Sequence, residues 1–312
     1  MDMIIQIILQ AGRTGVDLAL YTLLPIMVVM LALMKLLDAW GVLAFVARLL
    51  SPVLKPFGIP GLGIFAAVKM LLVSFAAPVA TFALMGQSGT SRRHLAATLA
   101  MILVMTQANV SFPLAAFGLD VGVSLLTSVM GGLLAAAVTY HFFTRKVGWD
   151  DETFPADAPD VSPHHGKNAI RVLSDGGLEG LKIVVNSIPM LILALCFVNV
   201  LKASGAMAGL SGLLAPALGL LGLPESAVLP LVTKFIAGGT AFMAVTMDLI
   251  QHGSLTAAEL NRMVGFATNP LDIVGVALFA SAHPRMTEVM RPALYGAGVG
   301  LVVRGAIHLL IY

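Results

Sequence analysis

Charge is scarce in this chain. Asp, Glu, Lys and Arg make up 11% of its 312 residues, under half of the quarter or so usual in soluble domains, so a solvated globular surface is excluded. A single cysteine, Cys196, excludes an intramolecular disulfide framework and is expected to act as a small buried apolar residue. The net charge of +2, spread along the chain, says nothing about nucleic acid, and no nucleic-acid partner is expected; what matters is where the positives lie. No nucleophile stands beside a base, and no phosphate loop or cofactor fingerprint is present, so neither an enzyme nor a bound cofactor is expected. Apart from His164-His165, no His, Cys, Asp or Glu cluster has metal-ligand spacing, so no metal site is predicted.

What the chain has is apolar length. It is 58% hydrophobic, with runs of about 20 apolar residues, enough to cross a bilayer as helix. An integral membrane protein is predicted, with lipid as its surroundings. Pro and Gly inside those runs predict broken helices, because backbone freed from helical bonding must be buried in protein or line a wet cavity. The first residues, MDMIIQIILQAGRTG, open with an acid and do not read as a cleaved signal. Residues 1–14 are expected to form a short interfacial segment.

The chain is written twice. Sliding it by 164 residues superposes Pro25 on Pro189, Gly41 on Gly205, Pro52 on Pro216, Gly58 on Gly222 and Pro60 on Pro224. One inserted residue later Lys69 meets Lys234 and Thr81 meets Thr246; later still Thr106 meets Thr268. Prolines and glycines matching at one offset mark a shared backbone path, and repeats of this size in a membrane chain point to a transporter architecture. Each copy reads as an apolar helix (15–38; 177–203), an amphipathic stretch (41–57; 206–221), a segment interrupted at Ser74 to Pro78 or at Gly238-Gly239-Thr240, a span broken at TQANVSFP or TNPLD, and a last helix (120–143; 286–310). The domains predicted are thus gate repeat 1 over 15–147, a solvated linker over 148–176 and gate repeat 2 over 177–312.

Whether the interrupted segment crosses or returns as a hairpin is decided by the basic residues, which accumulate on cytoplasmic flanks. Leaving Lys69 and Lys234 aside, the hairpin reading divides the other 16 Lys and Arg as 12 against 4, with Arg304 among the four, whereas full crossing gives 10 against 6. The prediction is an all-α integral membrane protein of two inverted-topology repeats, each three spans plus an interfacial helix and a re-entrant hairpin. That makes six spans and two hairpins, the linker in the cytoplasm of a bacterial inner membrane and both termini outside.

Candidate site residues follow from depth. A lysine at membrane depth costs roughly 2.5–3.5 kcal/mol, so Lys234 and Lys69 need a wet path or a partner; the plainer reading is that they snorkel. Asp272 is the obvious counter-ion for one of them. Thr268, Asn269 and Asp272 sit at one break, and Thr106, Gln107, Asn109 and Ser111 at the other, where carbonyls freed by Pro270 leave polar groups to bind a solute or to satisfy the backbone. Ser74 in one copy, and Gly238, Gly239 and Thr240 in the other, form the hairpin tips. Asp120, Asp248, His141, His252, His283 and His308 are expected near span ends. Gly296, Gly298 and Gly300 are expected to pack against a neighbouring helix within the subunit, with a homo-oligomer left open.

GLPESAVLPLVTKFIAGGTAFMAV followed by LTAAELNRMVGFATNPLDIVG resembles the nucleoside-recognition, or gate, domain shared by concentrative nucleoside transporters, the membrane part of ferrous iron transporter B, and spore maturation proteins A and B. The resemblance implies a hairpin whose tip Gln and Glu hydrogen-bond a base; Gly239 and Ala241 stand there in this chain. It implies a sodium-holding Asn four residues before the tip glycine, where this chain has Lys234, with Lys69 in the other copy. The function it implies is alternating-access transport of a small polar solute such as a nucleoside; the departure at the lysines, with an ammonium in place of a coupling cation, makes that transport sodium-independent and either facilitated or proton-linked. A divalent-metal permease and a non-transporting component working with a partner protein are the alternatives.

Overall fold

The computed structural model describes residues 2–74, 77–145 and 168–312. Phe75 and Ala76 of the first tip, and the linker residues 146–167 with His164 and His165, lie outside the described residues. Among the described residues the chain is helical, without strands. The helices of the first copy are α1 (Asp2–Asp17), α2 (Leu24–Ala39), α3 (Val42–Leu54), α4 (Gly61–Leu72), α5 (Ala77–Gln87), α6 (Arg92–Val104), α7 (Ala108–Ala115) and α8 (Val121–Val138). Those of the second are α9 (Ala169–Ala203), α10 (Ala206–Leu220), α11 (Val228–Gln251), α12 (Ala257–Ala267), α13 (Ile273–Ala280) and α14 (Pro284–Ile311).

Two boundaries differ from expectation. α1 runs through a π-helical turn, Leu18–Leu23, into α2, so residues 2–14 are the first turns of a long helix and no break separates them from it. α9 starts at Ala169, eight residues before the predicted start at 177, because the stretch 169–176 contains helix formers such as Ala169, Arg171 and Leu173 and the glycines that follow them fit against α2: a Cβ on Gly176 would lie 2.6 Å from the Ala32 Cα, and one on Gly180 2.7 Å from the Met27 carbonyl.

The duplication is visible in the backbone. Gly41 and Gly205 precede α3 and α10 with φ of 76° and 74°, and Gly58 and Gly222 follow them at 77° and 65°. Both pairs occupy the left-handed region that favours glycine. Pro60 and Pro224 are then both extended, with φ/ψ of −76°/168° and −73°/163°. The turn from α3 into α4 bends the chain by 114°.

α4 and α5 pack side by side, and both ends of the pair meet at Tyr140: Gly58 lies against its ring, Arg93 Nη2 donates to its carbonyl at 3.2 Å, and the neighbouring His141 Nε2 is 3.0 Å from the Pro56 carbonyl. α11 breaks at Gly238, whose φ of 85° with ψ of −178° belongs to no helix. Straight, its 24 residues would separate its ends by about 36 Å. Instead Gly222, just before α11, lies against the guanidinium of Arg262 in α12, the next helix after it. The chain enters and leaves α11 at one end of the molecule. That end is the α8 N-terminus, where the Asn261 side chain accepts from Asp120 N–H and donates to the Gly118 carbonyl, each at 2.8 Å. Tyr140 lies beyond the other end of α8, roughly 30 Å away at 1.5 Å per residue.

Among the described residues six stretches are long and apolar enough to cross a membrane: Ile4–Ala39, Arg92–Ala115, Val121–Phe143, Ala169–Leu201, Glu225–Gln251 and Pro284–Ile311. Length alone counts α11 as a span and passes over α12 and α13, which are 11 and 8 residues long and meet at the Thr268 to Asp272 break. The chain is an integral membrane protein, its outward faces carrying Leu, Val, Ile and Phe.

The helices close on small residues. Gly300 of α14 crosses Gly131 of α8, so a Cβ on Gly300 would sit 2.7 Å from Ala135 Cβ and nearer still to the Gly131 carbonyl, whereas Gly298 has nothing within 4 Å. Overpacking costs about 1–3 kcal/mol. Gly300→Val is therefore expected to lower the thermal unfolding midpoint in detergent, with Gly298→Val close to unchanged; equal effects would show that the crossing does not limit stability.

Candidate functional site

Both broken spans are interrupted at the same depth, and their breaks are bonded to each other. The Gln107 backbone N–H donates to the Thr268 carbonyl at 2.8 Å, joining the residues that follow α6 and α12. Arg304 of α14, wholly buried, secures both ends: Nη1 donates to the Val104 carbonyl at 2.9 Å, and Nη2 to Thr268 Oγ1 at 2.7 Å and Ser124 Oγ at 3.3 Å. Its Nε has no acceptor among the described residues. One turn on, buried His308 bridges Thr127 Oγ1 at 2.8 Å and the Asn261 carbonyl at 2.7 Å. Arg304 was counted as a solvated flank and is not one. It neutralises the C-terminal ends of α6 and α12, where carbonyls lack intrahelical donors.

Past the second break, Asp272 caps α13, its Oδ1 accepting from Gly275 N–H at 2.7 Å. Its Oδ2 pairs with Lys234 Nζ from α11. Asp272 thus forms the ion pair expected of it, with Lys234. Lys234 is wholly buried, with 0% of its side chain exposed against 2% for Asp272, so the pair faces no bulk water. Such a pair holds only while both partners and their hydrogen bonds are present.

A cavity of about 130 Å³ opens beside this pair, lined by Gln107, Asn186, Ser187, Met190, Ala237, Gly238, Gly239, Thr240, Asp272, Val274 and Gly275. The two tip glycines admit the broken span closely: a Cβ on Gly239 would sit 2.8 Å from Gln107 Oε1. The side chain of Gln107 is 3% exposed and has no hydrogen-bond partner among the described residues, so its amide is open to the cavity.

Of the predicted site residues, Gln107, Gly238, Gly239, Thr240 and Asp272 meet at the cavity, and Lys234 stands behind Asp272. The others lie elsewhere. Asn269 satisfies the broken backbone, donating to the Phe266 carbonyl at 2.9 Å and accepting from Leu271 N–H at 3.0 Å. Thr268 is committed to Arg304 and to the Val264 carbonyl. Asn109 and Ser74 are buried away from the cavity lining. Lys69 is half-buried with its ammonium 4.2 Å from the centre of the Phe65 ring, and it does not reach the cavity. Asn186, Ser187 and Met190 were missed. Their signal is two adjacent polar residues in the apolar run of α9, just ahead of Pro189.

Removing one partner of a buried pair costs about 3–5 kcal/mol. Lys234→Met alone is thus expected to destabilise strongly, and Lys234→Met with Asp272→Asn, which keeps the α13 cap, to recover most of the loss. Thermal unfolding of the three proteins measures this; a double variant no more stable than the single one would mean that the pair is not the cause.

A family model described as "Gate: Nucleoside recognition" matches residues 20–119 and 184–285, stretches that begin 164 residues apart. Spore maturation protein B of Bacillus subtilis (strain 168) is 30% identical over 141 residues, covering 44% of this chain and 79% of that protein. The solved structure of CNTnw in an inward-facing substrate-bound state superposes with a TM-score of 0.65 at 16% identity, over 92% of this chain and 73% of that one. A variant of CNTnw in an outward-facing state gives 0.66 at 16% identity, over 96% and 80%. At such identities the likeness is one of fold.

Proposed function

The chain belongs to the nucleoside-recognition Gate family, and from that premise we propose that it is a secondary transporter, not an enzyme, moving a small polar solute by alternating access. The observation that carries this reading is the cavity where a hairpin tip, a broken span and α9 meet, lined by polar groups such as the Gln107 amide, which no group among the described residues satisfies. Unsatisfied polar groups at membrane depth are costly, and a solute or water would relieve them. The two CNTnw states superpose almost equally well, consistent with a fold that serves both.

The copies act as inverted repeats of three spans, an interfacial helix and a hairpin each, over 15–147 and 177–312. The two hairpin mouths at opposite ends of α8 support that arrangement. The basic residues favour an inner-membrane orientation with the 148–176 linker in the cytoplasm and both termini outside. Solute contacts fall to Gln107, Gly238, Gly239, Thr240 and Asp272, with Asn186 and Ser187 added. Ser74, Asn109, Thr268 and Asn269 act from behind, by shaping the tip and the breaks. Lys234 stands in for a coupling cation by holding Asp272 with its own ammonium; Lys69 is its counterpart in the first copy.

The likeness to spore maturation protein B supports a second reading, a membrane component that works with a partner protein and carries nothing. For a divalent-metal permease, no group of three His, Cys, Asp or Glu suited to a metal occurs among the described residues.

Uptake into proteoliposomes, with a solute found by thermal-shift screening of the purified protein, separates these readings. Uptake is expected to be unchanged when potassium replaces sodium, and to fall at least tenfold in Lys234→Ala. Undiminished uptake in that variant would overturn the role given to the lysine.

A further inference from the structure

The charges at the centre of the molecule do not balance. Three described ionic side chains there are at least nine-tenths buried: Lys234, Arg304 and Asp272, at 0%, 0% and 6% exposure. They carry two positive charges and one negative. Helix dipoles do not correct the excess, because each break ends one helix and starts another. The negative C-termini of α6, α12 and the first arm of α11 are matched in number by the positive N-termini of α7, α13 and the returning arm.

Where each side-chain charge sits is equally informative. Arg304 lies at the C-termini of α6 and α12. Lys234 is in the last turn of the first arm of α11, which ends at Gly238. Asp272 caps the N-terminus of α13. Every central helix end in the described residues around the cavity therefore has an opposite charge, except the N-termini of α7 and of the returning arm. Both border the cavity, through Gln107, the N-cap residue just before α7, and through Gly239 and Thr240. The independent sign of a ligand there is the Gln107 side chain itself, 97% buried by its 3% exposure, unpartnered and lining the cavity.

Resting on the transporter reading above, we infer that the solute is an anion: a small carboxylate or phosphate whose oxygens take the Gln107 side-chain amide and the N–H groups at the start of the returning arm, with the Asp272 carboxylate held by Lys234 and Gly275 N–H. One negative charge there cancels the buried excess, which a neutral solute would leave in a medium where unpaired charge is expensive. Size agrees, because a cavity of about 130 Å³ is well below the ~300 Å³ at which drug-sized ligand sites begin.

The test is binding of matched acid and neutral pairs to the purified full chain at constant ionic strength, by thermal shift: acetate and acetamide, lactate and lactamide, orotate and uracil, with inorganic phosphate alongside. At least one anion is expected to bind at least tenfold more tightly than its neutral partner, or than every neutral compound if phosphate is the one that binds; which binds distinguishes carboxylate from phosphate. The preference should vanish in Lys234→Gln and grow in Asp272→Asn, which changes the net buried charge in the other direction. Neutral compounds binding as well as the acids would overturn the anion while leaving the transport site in place. Binding of no compound in any pair, nor of phosphate, would overturn the site as well. A wild-type preference that survives both substitutions unchanged would overturn the charge argument.

Discussion

Everything at the centre of this protein follows from one constraint: a backbone broken at membrane depth has no water to satisfy it. Four carbonyls and four N–H groups are orphaned at each interruption of a helix, and this fold interrupts several helices at one level. The solutions are specific. One break donates to the other through Gln107 and Thr268, Arg304 reaches the ends of both helices that stop there, Asn269 closes its own turn, and Asp272 caps the helix that resumes. Groups that complete these tasks are spent. Those left over, above all the Gln107 amide, define the cavity.

This division explains which parts of the molecule were legible in the sequence. The duplication was, because Pro and Gly dictate backbone angles directly: Gly41 with Gly205, and Gly58 with Gly222, adopt left-handed conformations in matching pairs, and the two family matches begin at the same 164-residue spacing. The break at TNPLD was legible for the same reason. The roles of individual polar residues at the breaks were not. Asn269 and Asp272 are three residues apart and equally polar, yet one serves only its own turn and the other faces the cavity, a difference set by the direction each side chain takes after Pro270.

Arg304 marks a different limit. Counting basic residues assigns any arginine near the end of a span to the flank, and eight residues from the C-terminus that is a natural assignment. What reverses it is the convergence of three distant segments, around Val104, Ser124 and Thr268, on one guanidinium, which no local pattern records. Asn186 and Ser187 were visible as a polar pair in an apolar run, but only the approach of the α11 tip to α9 makes them part of the cavity.

The Lys234 ammonium is tethered by four methylenes to the hairpin. A free cation bound at such a place is released into one compartment after being taken from the other, and the fall in its electrochemical potential does work on the cargo. On the transport reading proposed above, a tethered ammonium returns with the protein at the end of every cycle and dissipates no gradient. On that reading the ammonium itself supplies no thermodynamic drive, and the direction of net flux through the cavity is left to the solute's own gradient, to the membrane potential if the solute is charged, or to a proton moving with it.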